Sequence, residues 1–106
     1  MFARILKINL RPYHVAKFNE ALEKQVLPML RKEKGFQDEI TLAGQDGTEM
    51  VSISLWDCKE SAESYNGQTY PEVLKALAPV LDGRPQFKTY EVANSTVHKI
   101  PVHATA

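Results

Sequence analysis

Cysteine occurs once in this chain, at Cys58. That excludes an internal disulfide and suits a reducing compartment, so a cytoplasmic protein is expected. Neither sign of charge dominates, with 13 Lys and Arg against 13 Asp and Glu. Without a basic stripe, nucleic acid is not an expected partner. Long apolar runs are missing, and with them any membrane span. The stretch Met1-Phe-Ala-Arg-Ile-Leu-Lys7 is too short and too interrupted for a signal peptide. Asn94-Ser-Thr96, which spells a glycosylation acceptor, is then a coincidence. No glycine-rich phosphate loop is present. The histidines, His14, His98 and His103, are scattered. His98 and His103 fall on opposite faces of an extended segment, and Cys58 has no partner, so no metal-ligand spacing is met. At 106 residues the chain makes one domain with a modest core.

What the sequence does have is a strictly alternating stretch, Glu49-Met-Val-Ser-Ile-Ser-Leu-Trp56. Val51, Ile53 and Leu55 point one way, and Ser52, Ser54 and Trp56 the other, which is the period of a strand. Asp57, with Glu60 three residues on, then reads as the cap of a helix. Two readings of the stretch stand. Small hydroxyl residues beside a large aromatic can open a pocket, or the serines face solvent and Trp56 anchors the core.

Phe2 to Leu10 reads as a first strand, with Phe2, Leu6, Ile8 and Leu10 on one face and Ala3 and Ile5 on the other. Apolar groups on both faces predict a central strand covered on both sides. From about His14 to Lys34 the apolar residues take helical spacing. Pro28 inside that pattern predicts a kink or break near Gln25, and Gly35 a stop. Phe36 to Ala43 is a second strand, joined through Asp46-Gly47 to the third as a hairpin. Helical spacing resumes at Cys58, pauses at Asn66-Gly67, and restarts after a Thr69 cap with Pro71 in the first turn. Cys58 reads as a small buried residue rather than a nucleophile. Pro85 to Val92 is the fourth strand. Residues 1–92 thus form the domain and 93–106 a tail. Val97, Ile100 and Val102 are too apolar for that tail to be wholly free.

The element order is strand, helix, strand, strand, helix, strand. It predicts an α+β, ferredoxin-like split βαβ fold, a four-stranded antiparallel sheet with two helical regions on one face. The other face is then uncovered and apolar. A second copy of the chain is the simplest cover. Asn9, Trp56, Tyr65, Tyr70 and Tyr90 are the polar and aromatic residues able to line a pocket between sheet and helices.

The strand ending at Trp56, the helix Lys59-Glu-Ser-Ala-Glu-Ser-Tyr65, Tyr70-Pro-Glu-Val-Leu74 and the strand Lys88-Thr-Tyr-Glu-Val92 together resemble the antibiotic biosynthesis monooxygenase superfamily. The resemblance covers roughly residues 1–92, as arrangement more than as motif. It implies a dimeric α+β barrel, that is, a homodimer. Characterised enzymes of that family oxidise polycyclic phenols with oxygen and without metal or flavin. The resemblance therefore implies no cofactor, and a cofactor-independent oxygenase acting on a small aromatic or quinol-type compound. The alternative is a dimeric ligand-binding or regulatory module without turnover. By the same resemblance Asn9 and Trp56 would be catalytic, and Tyr65, Tyr70 and Tyr90 would bind substrate. The haem-degrading branch wants Asn, Trp and His. Asn9 matches the first, but Tyr65 and Lys75 stand at the other positions, so haem chemistry is set aside.

Overall fold

A computed structural model describes residues 1–100. The readings on Val102 and His103 lie outside the described residues. The strands are β1 (Phe2–Asn9), β2 (Phe36–Ala43), β3 (Glu49–Trp56) and β4 (Gln86–Glu91). All pairings are antiparallel, in the order β2-β3-β1-β4. This is the expected ferredoxin-like α+β arrangement, with β1 and β3 central and neighbouring.

The first helical region is continuous but not uniform. It runs as α1 (Val15–Ala21), a π-helical turn (Leu22–Val26) and α2 (Leu27–Arg31). The expected disturbance near Gln25 takes the form of that π turn. Pro28 has no N–H to offer the carbonyl four residues before it. The turn widens by one residue, and the Leu27 N–H bonds the Leu22 carbonyl instead.

The second region differs from the sequence reading in three places. Helix α3 (Lys59–Gln68) runs straight through Asn66-Gly67 rather than pausing there. The break falls at Thr69, where α4 (Tyr70–Leu77) begins, and neither helix start carries a side-chain cap. Asp57 serves α3 in another way. Hydrogen bonds from the side chains of Ser61 and Cys58 hold its carboxyl below the usual carboxylate range. Cys58 is exposed rather than buried. Its Sγ lies 3.4 Å from Ser61 Oγ.

Both helical regions cover one face of the sheet. Phe2, Leu6, Ile8, Met50 and Trp56 point into that layer and pack on Phe18, Val26, Leu30, Tyr65, Val73 and Leu77. The strand period puts Ile5, Val51, Ile53 and Leu55 on the opposite face, together with Ile40 and Leu42 of β2 and Tyr90 of β4. Ile40, Leu42 and Tyr90 are about half exposed there. The tail crosses one end of this open face, and His98 Nε2 lies 3.2 Å from Asp38 Oδ2 of β2. Val97 stays exposed. Among the described residues no helix is long and apolar enough to cross a membrane.

Candidate ligand cavity

Small side chains on the helix-facing side of β3 do leave space. Ser52 and Ser54 border an interior cavity between sheet and helices, together with Arg4, Phe18, Val26 and Tyr65. As it stands the cavity has a volume of about 20 Å³. That is room for one or two waters, not for a ring. The wall opposite the sheet includes Leu22 and Val26 of the π turn. Irregular helix of this kind is common beside functional sites.

The hydroxyls at the cavity belong to two short networks. Ser54 Oγ accepts the Trp56 indole N–H at 3.0 Å and lies 3.4 Å from the Arg4 carbonyl oxygen. Ser52 Oγ donates to Glu39 Oε2 at 2.7 Å, and Thr41 donates to the same oxygen at 2.6 Å. Ser52 therefore links the cavity to a carboxylate.

Aromatic rings form a continuous file from Phe36 to Phe87, and its middle member, Tyr65, lines the cavity. Phe36 meets Trp56 edge-on at 5.6 Å, Trp56 meets Tyr65 at 5.0 Å, Tyr65 meets Tyr70 at 6.2 Å and Tyr70 meets Phe87 at 6.4 Å. Trp56 is wholly buried, and Tyr65 and Tyr70 nearly so. Burial pushes the Tyr65 phenol well above its ordinary value, outweighing the opposite pull of the Arg4 guanidinium.

This raised value has a stability consequence of definite sign. Above about pH 10 an unfolded tyrosine loses its proton while the folded Tyr65 keeps it. Its contribution is complete below that pH and is lost as pH rises further. We expect stability to fall less steeply above pH ~10 in Tyr65→Phe than in the parent. Urea midpoints measured across that range would show it, and parallel slopes would contradict it.

Of the residues expected at the site, the structure brings Trp56, Tyr65 and Tyr70 together. It separates Asn9 and Tyr90 from them. Asn9 falls in the same strand phase as Ile5 and Lys7, so its exposed side chain points to the open face. It pairs with Glu49, whereas Trp56 pairs with Phe2 at the far end of the antiparallel ladder. Seven residues of strand separate those positions, about 20 Å. Asn9 and Trp56 therefore border no common cavity. Tyr90 pairs with Ala3 and also lies on the open face.

Sequence reasoning missed Arg4, Asn66 and Glu39. Arg4 had a readable signal. It sits in phase with Phe2, Leu6 and Ile8 on the core face of β1, a charge where the pattern wants an apolar residue. It is 3% exposed. Asn66 reaches Arg4, and Glu39 reaches Ser52, through pairings distant in sequence, and no local pattern marks either contact.

No family model matches the chain, and no curated protein does. Solved structures share its fold. SnoaB, a cofactor-independent oxygenase from Streptomyces nogalater, is 12% identical, with a TM-score of 0.75 over 92% of this chain and 97% of that one. A monooxygenase from the gene ActVA-Orf6 of Streptomyces coelicolor, in complex with the ligand nanaomycin D, is 21% identical, with a TM-score of 0.76 over 92% of each. A conserved protein from Methanosarcina mazei is 18% identical, with a TM-score of 0.68 over 85% of this chain and 91% of that one. The ferredoxin-like α+β fold expected of the single chain is thus the fold observed, and it is shared with these structures.

Proposed function

We propose that the chain belongs to the antibiotic biosynthesis monooxygenase superfamily and oxygenates a small aromatic or quinol-type compound without metal or flavin. The observation that carries this is the cavity on the helix side of the sheet, lined by Tyr65 and mostly apolar side chains with few polar groups, next to the buried Trp56 that packs on Tyr65. Holding a ring there requires the cavity to widen beyond its present room for one or two waters. The shared fold with a cofactor-independent oxygenase and with a ligand-bound monooxygenase supports the reading.

The chemistry balances with substrate and oxygen alone. An activated ring methylene and O₂ give a ring carbonyl and water. The substrate supplies every electron, and one oxygen atom goes to each product. The protein then has to hold the ring, accept a proton and exclude water. Trp56, Tyr65 and Tyr70 supply flat apolar walls. Ser52, backed by Glu39, offers the proton a way out. Asn9 takes no part in this scheme.

A binding module without turnover is the second reading, favoured by the small size of the space. Oxygen uptake by the purified protein, with metal chelated and a panel of phenols and quinols supplied, separates the two. Uptake tied to quinone formation supports the oxygenase. Saturable binding without uptake supports the module.

A homodimer belongs to the same proposal. The open face presents Ile40, Leu42 and Tyr90 half exposed in one chain, and a second sheet is its natural cover. A standard interface buries about 1,600 Å² in total. Light scattering at micromolar concentration should give about twice the chain mass of 12.0 kDa. A monodisperse monomer would contradict this.

A further inference from the structure

We infer that Arg4 is an anion receptor, and that the ligand of this cavity binds as a flat aromatic oxyanion, a phenolate or ring enolate, with its ionised oxygen on the Arg4 guanidinium. The inference rests on the proposed ring site and names the charge of what occupies it.

Arg4 is 3% exposed. Among the described residues no carboxylate comes within salt-bridge distance of it. A buried arginine normally has such a partner, because an isolated charge is costly to bury. Here its faces lie against rings instead. The guanidinium carbon sits 4.0 Å from the Tyr70 ring centre, 4.5 Å from that of Phe87 and 5.4 Å from that of Tyr65. Ring faces stabilise a cation but do not neutralise it.

Its hydrogen bonds are also incomplete. One terminal nitrogen donates to Asn66 Oδ1 at 2.9 Å. The Nε–H is buried and has no acceptor in the protein among the described groups. A guanidinium edge with a free donor matches one oxygen atom of a delocalised anion. Asn66 fixes the fork in place and keeps its own amide N–H groups for a ligand.

Arg4 also stands at a boundary. It lines the interior cavity and, from the other side, a surface groove of about 170 Å³ shared with Lys59, Asn66, Phe87 and Thr89. The groove gives an aromatic ligand a path to the guanidinium, with Phe87 as its wall. The titratable groups around Arg4 are Tyr65 and Tyr70 on the helices, Glu39 of β2 on the same sheet face, held by Ser52, and Lys59 and Glu63 at the groove. Lys59 and Glu63 lie 3.7 Å apart and largely offset each other. The Glu39 carboxylate is held by the hydroxyls of Ser52 and Thr41 and makes no ion pair with Arg4 among the described residues, so the cation on this face is left to a ligand.

The test uses para-nitrophenol, whose ionisation is visible by absorbance, and its neutral methyl ether, para-nitroanisole. On the unaltered protein, bound para-nitrophenol should ionise roughly one pH unit lower than free, equivalent to about tenfold tighter binding of the anion. Calorimetry above that midpoint should show about the same tenfold preference over para-nitroanisole. Arg4→Met should abolish the preference for the anion. An unshifted midpoint, or equal affinity for both probes, overturns the inference while leaving the ring site standing. Failure of both probes to bind removes the ring site and the inference together. The midpoint is read on the parent protein, so the result does not depend on Arg4→Met folding.

Discussion

Trp56→Ala should lower the free energy of unfolding by about 3–5 kcal/mol, the range for removing a large buried ring. Trp56 is 0% exposed. Its ring holds Phe36 of β2 and Tyr65 of α3 at once, so alanine leaves a void at the junction of sheet and helix. It also takes away the indole N–H that Ser54 accepts. A domain of this size is stable by only about 5–15 kcal/mol in all. Trp56→Phe keeps most of the packing and loses the donor, so a cost of roughly 1–2 kcal/mol is expected. Urea midpoints of both variants test this. A loss under about 1 kcal/mol for alanine would mean that the ring is not packed as described.

Gly35→Ala should be the second costly change. Gly35 has φ of +85° at the exit of the first helical region. A Cβ there would run into Asp57 Oδ1 and Ser61 Oγ, and would come within 2.6 Å of Ser61 Cβ. The Gly35 carbonyl also accepts the Asp57 N–H at 2.8 Å. The left-handed backbone alone costs an L-residue about 1–2 kcal/mol. Displacing Asp57 from Ser61 adds to that, for a total of roughly 3 kcal/mol. Gly47→Ala is the control. Its φ is +75° but nothing lies within 4 Å of the added Cβ, so only the backbone cost of about 1 kcal/mol applies. Equal losses for the two variants would show that the contact with Asp57 and Ser61 is not tight.

These two residues also mark how much the sequence disclosed. The strand ending at Trp56 was legible because alternation is a local property of the chain, and its serines and indole do share the helix-facing side. The helix itself stops earlier, at Arg31, but Gly35 was legible as a turn residue, since that depends on its own φ. Its close approach to Ser61 was not, because the contact spans 26 positions of sequence. The π turn was legible only as a disturbance at Pro28; a missing N–H does not say whether a helix will break or widen. Asn66-Gly67 resembled an interruption because both residues favour turns, but the burial of Tyr65 and Tyr70 on either side keeps the chain helical to Gln68.

The site itself was half legible. Trp56, Tyr65 and Tyr70 converge because each faces the layer between sheet and helices. Asn9 was taken for their neighbour from strand adjacency alone. Adjacent strands bring residues together only when phase and register both agree, and Asn9 fails on both. Arg4 satisfies both for the opposite reason. It is in phase with the core, and its register places it beside Ser54, whose hydroxyl holds Trp56. A charge kept in an apolar phase was the most informative feature of the first strand.

Aromatic ligands are proposed to bind on the helix side of the sheet, in the cavity that Tyr65 lines beside Trp56, and not on the open face. The chain has one tryptophan, so its indole N–H gives a single proton resonance, and Tyr90 reports on the opposite face. Para-nitrophenol titrated into the labelled protein should shift the Trp56 indole resonance saturably and leave the Tyr90 ring resonances in place. Shifts confined to Tyr90, with the indole resonance unmoved at saturation, would contradict the account.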